Sequence, residues 1–322
     1  MQALSTYTEL IEKEIDLLDF PSNPSNLYDP LRYFMQLGGK RMRPILTLLG
    51  AELFGAHKTD ALPAAMAIEV FHNFTLIHDD IMDAAPLRRS QPTVHTRWNP
   101  NIAILSGDVL FVKAYQLIAK QAPEQLPELL ELFNHTAIEV CEGQQMDMDF
   151  ESRSDVQIDE YIEMIRLKTS VLLGCALKMG AIVADAEKSD CEAIYNFGQH
   201  IGIAFQIQDD ILDLYANPET FGKQVGGDVI ANKKTLLNLK ALELADATEL
   251  ELLKQLSNET DLQFKVEKTK ALYELIGARQ ACEQTMREHH TIAMNALKSI
   301  HVSDAAKAPL IALAEYLMVR DI

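Results

Sequence analysis

The residues in this chain of 322 with the clearest capacity for chemistry are carboxylates, and they come in two near-copies of one cluster. Ile77 to Asp83 reads IHDDIMD and Ile207 to Asp213 reads IQDDILD, with the same residue at five of seven positions. On a helix, Asp79 and Asp83 stand one turn apart with Asp80 alongside, and Asp209, Asp210 and Asp213 repeat the arrangement. Carboxylates one turn apart can each give an oxygen to Mg2+, which keeps several waters and favours substrate phosphates as its remaining ligands. One such cluster alone would read as a solvated acidic face. Here both copies have apolar flanks (Phe74, Leu76, Ile77, Ile81 and Phe205, Ile207, Ile211, Leu212), where solvated faces do not usually sit.

Metal ions alone would leave phosphorylated substrates under-neutralised, and the sequence supplies cations beside the acids. Three positive charges, Lys40, Arg41 and Arg43, follow the diglycine Gly38 and Gly39. Arg88 and Arg89 come nine and ten residues after Asp79, and Lys223 comes fourteen after Asp209. Lys233, Lys234 and Thr235 close that second segment. Arg grips phosphate oxygens through several donors, whereas Lys offers a mobile point charge. Singly, each basic pair would read as surface; their spacing from the acids gives them weight.

The elements that must position these groups are helices. Leu4, Ile11, Ile15 and Leu18 form one stripe over residues 4–20, and the same periodicity runs through 60–83, 100–120 and 127–150. Further helices are expected at 156–184, 190–216, 233–257, 262–279, 280–299 and 304–320. Prolines 21, 24, 30, 86, 92, 100 and 218 fall where helices should start or stop. Strand-like alternation is nearly absent, which predicts an all-α protein, residues 1–322 forming a single large helical bundle. Two segments break the pattern: a polar loop over 84–99, and a stretch over 217–232 with three glycines and Lys223, which would suit a lid.

Composition bounds the partners. Hydrophobic residues make up 48% and charged residues 24%, an ordinary globular balance. Acidic residues outnumber basic ones 47 to 29, and a formal charge of −18 disfavours nucleic acid and anionic membrane surfaces. An anionic substrate would therefore need the field reversed locally by metal ions and placed cations. Cys141, Cys175, Cys191 and Cys282 show neither metal-ligand spacing nor disulfide density, as expected of free thiols in a reducing cytoplasm. The N-terminus is acidic where a signal peptide would be apolar, and no run approaches the roughly 18 apolar residues of a membrane span. The expectation is a cytoplasmic protein without stable membrane insertion.

Taken in order, GGKRMRP, FTLIHDDIMD with RRSQPT, GQQMD, KTS, FQIQDDILD, and GKQVGGD with KKT resemble the trans-isoprenyl diphosphate synthases, the polyprenyl synthetase group. The resemblance spans about residues 31–236 and implies a helical bundle of the isoprenoid synthase type with a central active-site cavity. It implies condensation of isopentenyl diphosphate with an allylic diphosphate, by a homodimer. Asp79, Asp83 and Asp209 would hold three Mg2+ on the allylic diphosphate, with Asp80, Asp210 and Asp213 in support and Asp147 of GQQMD adding a carboxylate. Arg88, Lys168, Lys223 and Lys233 would contact the allylic diphosphate; Lys40, Arg43, His72 and Arg89 would bind isopentenyl diphosphate without metal. Thr169, Gln206 and the Lys168 carbonyl would face the carbocation. Such a cation needs partial negative charge nearby but no nucleophile or water to trap it.

His72 lies two turns before Asp79 on the same helical face, which favours substrate binding over a core role. His95 falls in the basic loop and could touch substrate; His135, His200, His289, His290 and His301 lack ligand spacing and read as structural. The growing chain should run down the helix of the first cluster, where Phe74 and Phe71 would block very long products and Thr75 would leave room. That pattern, with no insertion in the first motif, predicts mainly a C20 product, with C15 as the alternative. Two departures from the family stand out: Ser90 replaces a common Gly after Arg88 and Arg89, and the C-terminus lacks a strongly basic tail. A terpene cyclase would need no second diphosphate site, and a non-catalytic partner subunit would have lost acidic ligands. Neither rival accounts for Lys40, Arg43 and Arg89 together with two complete clusters.

Overall fold

The computed structural model describes residues 5–216 and 225–318. Lys223, most of the expected lid and the last four residues lie outside them. Among the described residues the protein is helical, apart from one two-residue antiparallel pair, Leu87–Arg88 with Gln91–Pro92. The chain forms two compact units, Met1–Asn134 with Cys175–Cys191, and His135–Gly174 with Glu192–Ile322. The transitions fall inside the helices Leu126–Ser152, Val171–Val183 and Lys188–Tyr215, so no linker composition marks them in the sequence.

In the first unit, the helix Leu62–Met82 opens on Pro63, whose missing N–H costs nothing in a first turn. Ala64, Ala65, Ala67, Ile68, Phe71 and Ile77 are buried along it, and it packs on the helices Pro100–Ile118 and Met42–Leu53. Fully burying a side chain such as Ile68 contributes roughly 1.5–3 kcal/mol. Pro100–Ile118 begins with an N-cap, Asn99 Oδ1 accepting from Ile102 N–H at 2.9 Å. By length and composition this one helix is apolar enough to cross a membrane, against the expectation that no segment comes close. It carries Asp108 and Lys113 and lies along Leu62–Met82, as a core helix does. Pro30 also departs from expectation: it sits inside the helix Ser25–Met35. It removes one intrahelical hydrogen bond there and is buried with Leu31, Phe34 and Met35, which offsets the loss.

The second unit buries Phe150, Tyr161, Met164, Ile203, Ile207, Ile211, Leu237, Leu272 and Met286 in one core. Two expected helices are not uniform. The stretch 233–257 is two helices, Leu236–Leu244 and Ala247–Ser257, because a capping box restarts the chain. Asp246 Oδ1 accepts from the backbone N–H of Thr248 and Glu249 at 2.8 Å, and Asp246 N–H donates to Glu249 Oε2 at 2.8 Å. The stretch 156–184 runs from Ile158–Ile165 into Val171–Val183 through a π turn, Arg166–Ser170. Such single π turns inside α-helices are often functional.

Candidate active site

The first acidic cluster ends the helix Leu62–Met82. Asp83 is its C-cap and donates its N–H to the Asp79 carbonyl at 2.9 Å. The chain then turns through Ala84, and Ala85 N–H returns to the Asp80 carbonyl at 2.9 Å. The short strand pair that follows is closed by Arg89 and Ser90, with φ of 53° and 62°. A two-residue turn with both φ positive matches the twist of the flanking strands and favours Gly. That is the physical reason Gly suits the position Ser90 occupies. The hairpin brings Arg88 back to the acids: Nε donates to Asp80 Oδ1 at 2.8 Å and Nη2 to Asp79 Oδ2 at 3.4 Å.

Asp80 is buried, and desolvation raises its carboxyl above the usual range while Arg88 pulls it back down. Its second oxygen, Oδ2, is buried without a hydrogen-bond partner, an uncompensated anionic acceptor. Among the described residues no three His, Cys, Asp or Glu side chains form a closed metal cage. Mg2+ needs none, since it binds through one or two carboxylates and completes its shell with water and phosphate oxygens. The oxygen donors of Asp79, Asp80 and Asp83 fit that hard cation.

A second cationic group lies in the same unit. Arg41, at φ 48°, turns inward and is buried: it donates to Glu69 Oε1 at 2.6 Å, Glu12 Oε1 at 2.8 Å and the Met35 carbonyl at 2.9 Å. It is thus a strut, a role not assigned from sequence. Lys40 on one side of it stays exposed, and Arg43 on the other donates through Nη1 to His72 Nε2 at 3.1 Å. Burial pushes the Arg43 guanidinium down to about 10, against the opposing charge of Glu69. Burial first, then the charges of Arg43, Arg89, Arg88 and Arg41, hold His72 well below the usual imidazole range, so it is neutral and accepts. Arg89 donates to the Gly38 carbonyl, in space that a Cβ on Gly39 would fill. His95 has a buried Nδ1 without a partner, and its charge would lower Asp80.

Before the first cluster the helix carries an aromatic cluster. Phe74 stacks on Phe111 at 5.0 Å, and Phe71 meets Phe133 edge-on at 5.1 Å. Thr75 is back-bonded to the His72 carbonyl at 2.8 Å. Phe111 and Phe133 were not singled out from sequence; Phe111 and Tyr115, four apart on Pro100–Ile118, were the available signal.

In the second unit the π turn presents Lys168 and Thr169. Lys168 Nζ pairs with Asp147 Oδ2 at 2.5 Å, and Thr169 Oγ1 donates to Gln206 Oε1 at 3.4 Å. Gln206 Nε2 reaches Asp210 Oδ1 at 3.5 Å. Asp210 itself faces inward, accepting from the Tyr161 hydroxyl and from Leu236 N–H at 3.4 Å. Desolvation pushes its carboxyl up to about 7, with the Tyr161 hydrogen bond opposing. Asp213 Oδ2 accepts the Asp228 N–H at 3.0 Å and so anchors the chain after the second cluster. Asp209 is partly exposed and Lys233 is exposed. Lys234 instead donates to the Glu151 carbonyl at 3.1 Å, capping the helix Leu126–Ser152.

Residues 24–276 match the family described as polyprenyl synthetase. A short chain isoprenyl diphosphate synthase of Methanothermobacter thermautotrophicus is 37% identical over 322 residues, covering 100% of this chain and 98% of its own. A geranylgeranyl diphosphate synthase of Methanosarcina mazei is 43% identical over 235 residues, 72% of each chain. Among solved structures, a geranylgeranyl pyrophosphate synthase superposes with a TM-score of 0.92 at 45% identity, covering 100% of this chain and 99% of that one.

Proposed function

The chain belongs to the polyprenyl synthetase family, and we propose that it condenses isopentenyl diphosphate with an allylic diphosphate to give mainly the C20 product, geranylgeranyl diphosphate. The observation that carries this reading is the cationic group of Arg43, neutral His72 and Arg89 in the unit that also holds Asp79, Asp80 and Asp83. One cluster of acids with its own cations serves one diphosphate; a separate group without acids suits a second. A cyclase ionises a single diphosphate and has no use for it.

In this mechanism Lys40, Arg43, His72 and Arg89 hold isopentenyl diphosphate. His72 accepts from Arg43 and fixes the guanidinium, so the grip needs no metal. Arg88, Lys168, Lys223 and Lys233 bind the allylic diphosphate. Asp79, Asp83 and Asp209 are the Mg2+ ligands, supported by Asp80, Asp147, Asp210 and Asp213; the bound metal supplies positive charge to the departing diphosphate. Thr169, Gln206 and the Lys168 carbonyl face the allylic cation. None of them is a free nucleophile, and the π turn supports the assignment by taking carbonyls of this stretch out of α register. The isopentenyl double bond attacks, and the released diphosphate takes the final proton.

Length control follows from Phe74, which stands on Phe111 and is partly exposed along the helix leading away from Asp79. A homodimer working in the cytoplasm completes the reading. Ile104, Leu105 and Val112 are exposed on one helix, a patch that a second copy would cover, and Cys141, Cys175, Cys191 and Cys282 are all free thiols. The test is to incubate the purified chain and Mg2+ with labelled isopentenyl diphosphate and dimethylallyl, geranyl or farnesyl diphosphate in turn, then size the products by mass spectrometry. C20 diphosphate as the main product is expected. Release of a hydrocarbon without isopentenyl incorporation would make it a cyclase, and no product from the chain alone would make it a partner subunit.

A further inference from the structure

Two glycines crowd the π turn, and each stands one helical turn before the side chain that bonds to it. On Leu126–Ser152, Gly143 comes four residues before Asp147, which holds Lys168 Nζ. On Lys188–Tyr215, Gly202 comes four residues before Gln206, which accepts from Thr169. Residues four apart share a helix face, so each helix presents a bare Cα and then a polar partner to the same five residues. A Cβ on Gly143 would lie 2.7 Å from the Leu167 carbonyl carbon and the Lys168 Cα, and nearer still to the Lys168 nitrogen. On Gly202 it would lie 2.8 Å from Ser170 Cβ and 2.9 Å from Ser170 Cα. At those separations atoms overlap, and at Gly143 only backbone is there to move.

We propose that Gly143 and Gly202 are positioning residues for the condensation: their open faces seat the Arg166–Ser170 turn where Asp147 and Gln206 can aim Lys168 and Thr169. The proposal rests on the prenyl synthase reading and deepens it, since Lys168 and Thr169 are the groups that reading places at the diphosphate and the cation. The turn carries one residue more than α register and is held laterally, by bonds from the two neighbouring helices (Lys168 to Asp147, Thr169 to Gln206) rather than by its own ladder. A methyl group on either glycine displaces the turn, and the two side chains leave their partners together. Displacement of a reacting group by about 1 Å costs roughly a hundredfold in rate.

The experiment compares Gly143→Ala and Gly202→Ala with Gly180→Ala, whose Cβ would lie 2.6 Å from Ala51 N, a tight helix contact that holds no proposed site residue. Circular dichroism melting, kcat, and KM for isopentenyl diphosphate are measured for each. Expected are kcat losses of about tenfold to a hundredfold in Gly143→Ala and Gly202→Ala, with KM for isopentenyl diphosphate within about twofold. Gly180→Ala should lower the melting temperature while kcat per folded molecule stays near wild type. Adding Ser170→Gly to Gly202→Ala removes the side chain that is struck and should restore kcat several-fold; this pair decides the matter if Gly143→Ala does not fold. Wild-type kcat in folded Gly202→Ala, a parallel loss in Gly180→Ala, or no recovery with Ser170→Gly would overturn the proposal. A wild-type chain that makes no prenyl product would overturn the functional reading instead.

Discussion

The rings of Phe74 and Phe111 stack 5.0 Å apart with 16° between their planes, and Phe71 lies 5.5 and 5.8 Å from them. Phe74 is partly exposed, whereas Phe71 is buried. The two positions should therefore answer truncation differently. Phe74→Ala is expected to lengthen the main product by at least one isoprene unit, because it opens the floor of the chain pocket. Mass spectrometry of the products checks this, and an unchanged distribution would remove Phe74 from length control. Phe71→Ala is expected to cost about 3–5 kcal/mol of stability, the usual range for emptying a buried aromatic site. Urea unfolding with an unshifted midpoint would contradict that.

Division of labour among the cations gives a second prediction. Arg43→Ala and His72→Ala should weaken isopentenyl diphosphate binding more than allylic binding, and Lys223→Ala should do the reverse. A truncated partner of a charge-assisted hydrogen bond costs roughly 1.5–3 kcal/mol, about tenfold to a hundredfold in Kd. Titrating each substrate separately against each variant is the check. Equal effects on both substrates would mean the two pockets are wrongly assigned.

A third concerns pH. His200 and His289 face each other through their Nδ1 atoms at 2.9 Å, so one must donate and the other accept. Burial, then the neighbouring His200, lowers His289 to about 4. Its folded value lies below the ordinary 6.5, so the unfolded chain binds more protons between these values. This contribution is present above pH 6.5 and is lost as pH falls through about 4. His289→Leu should flatten the melting temperature between those limits, while wild type falls. Parallel acid limbs in the two proteins would show that the pair does not matter.

Much of this architecture was legible in the sequence. Helix periodicity located Leu62–Met82 and Lys188–Tyr215 within two residues at each end, because apolar spacing and prolines set them locally. The aspartates and Arg88 could be read from spacing along one helix and one loop. Other features depend on contacts distant in sequence and could not. Arg41 looked like one more phosphate-binding cation, yet its left-handed backbone and the buried Glu69 turn it inward. Asp210 matched Asp80 in the repeat but is bonded by Tyr161, 49 residues earlier. The π turn left no mark on periodicity over 156–184, since a single inserted residue shifts the apolar stripe only slightly. The break at Asp246 was readable, because Asp followed three residues later by Glu is a capping box.

Asp79 is the residue on which ionisation of the allylic substrate depends most. Single electrostatic groups at such sites are worth about a hundredfold to a thousandfold in kcat, and loss of a metal ligand should exceed that. The decisive measurement is the condensation turnover of Asp79→Ala, with circular dichroism showing that it remains folded. Turnover reduced by several orders of magnitude is expected; near wild-type turnover in the folded variant would contradict the mechanism.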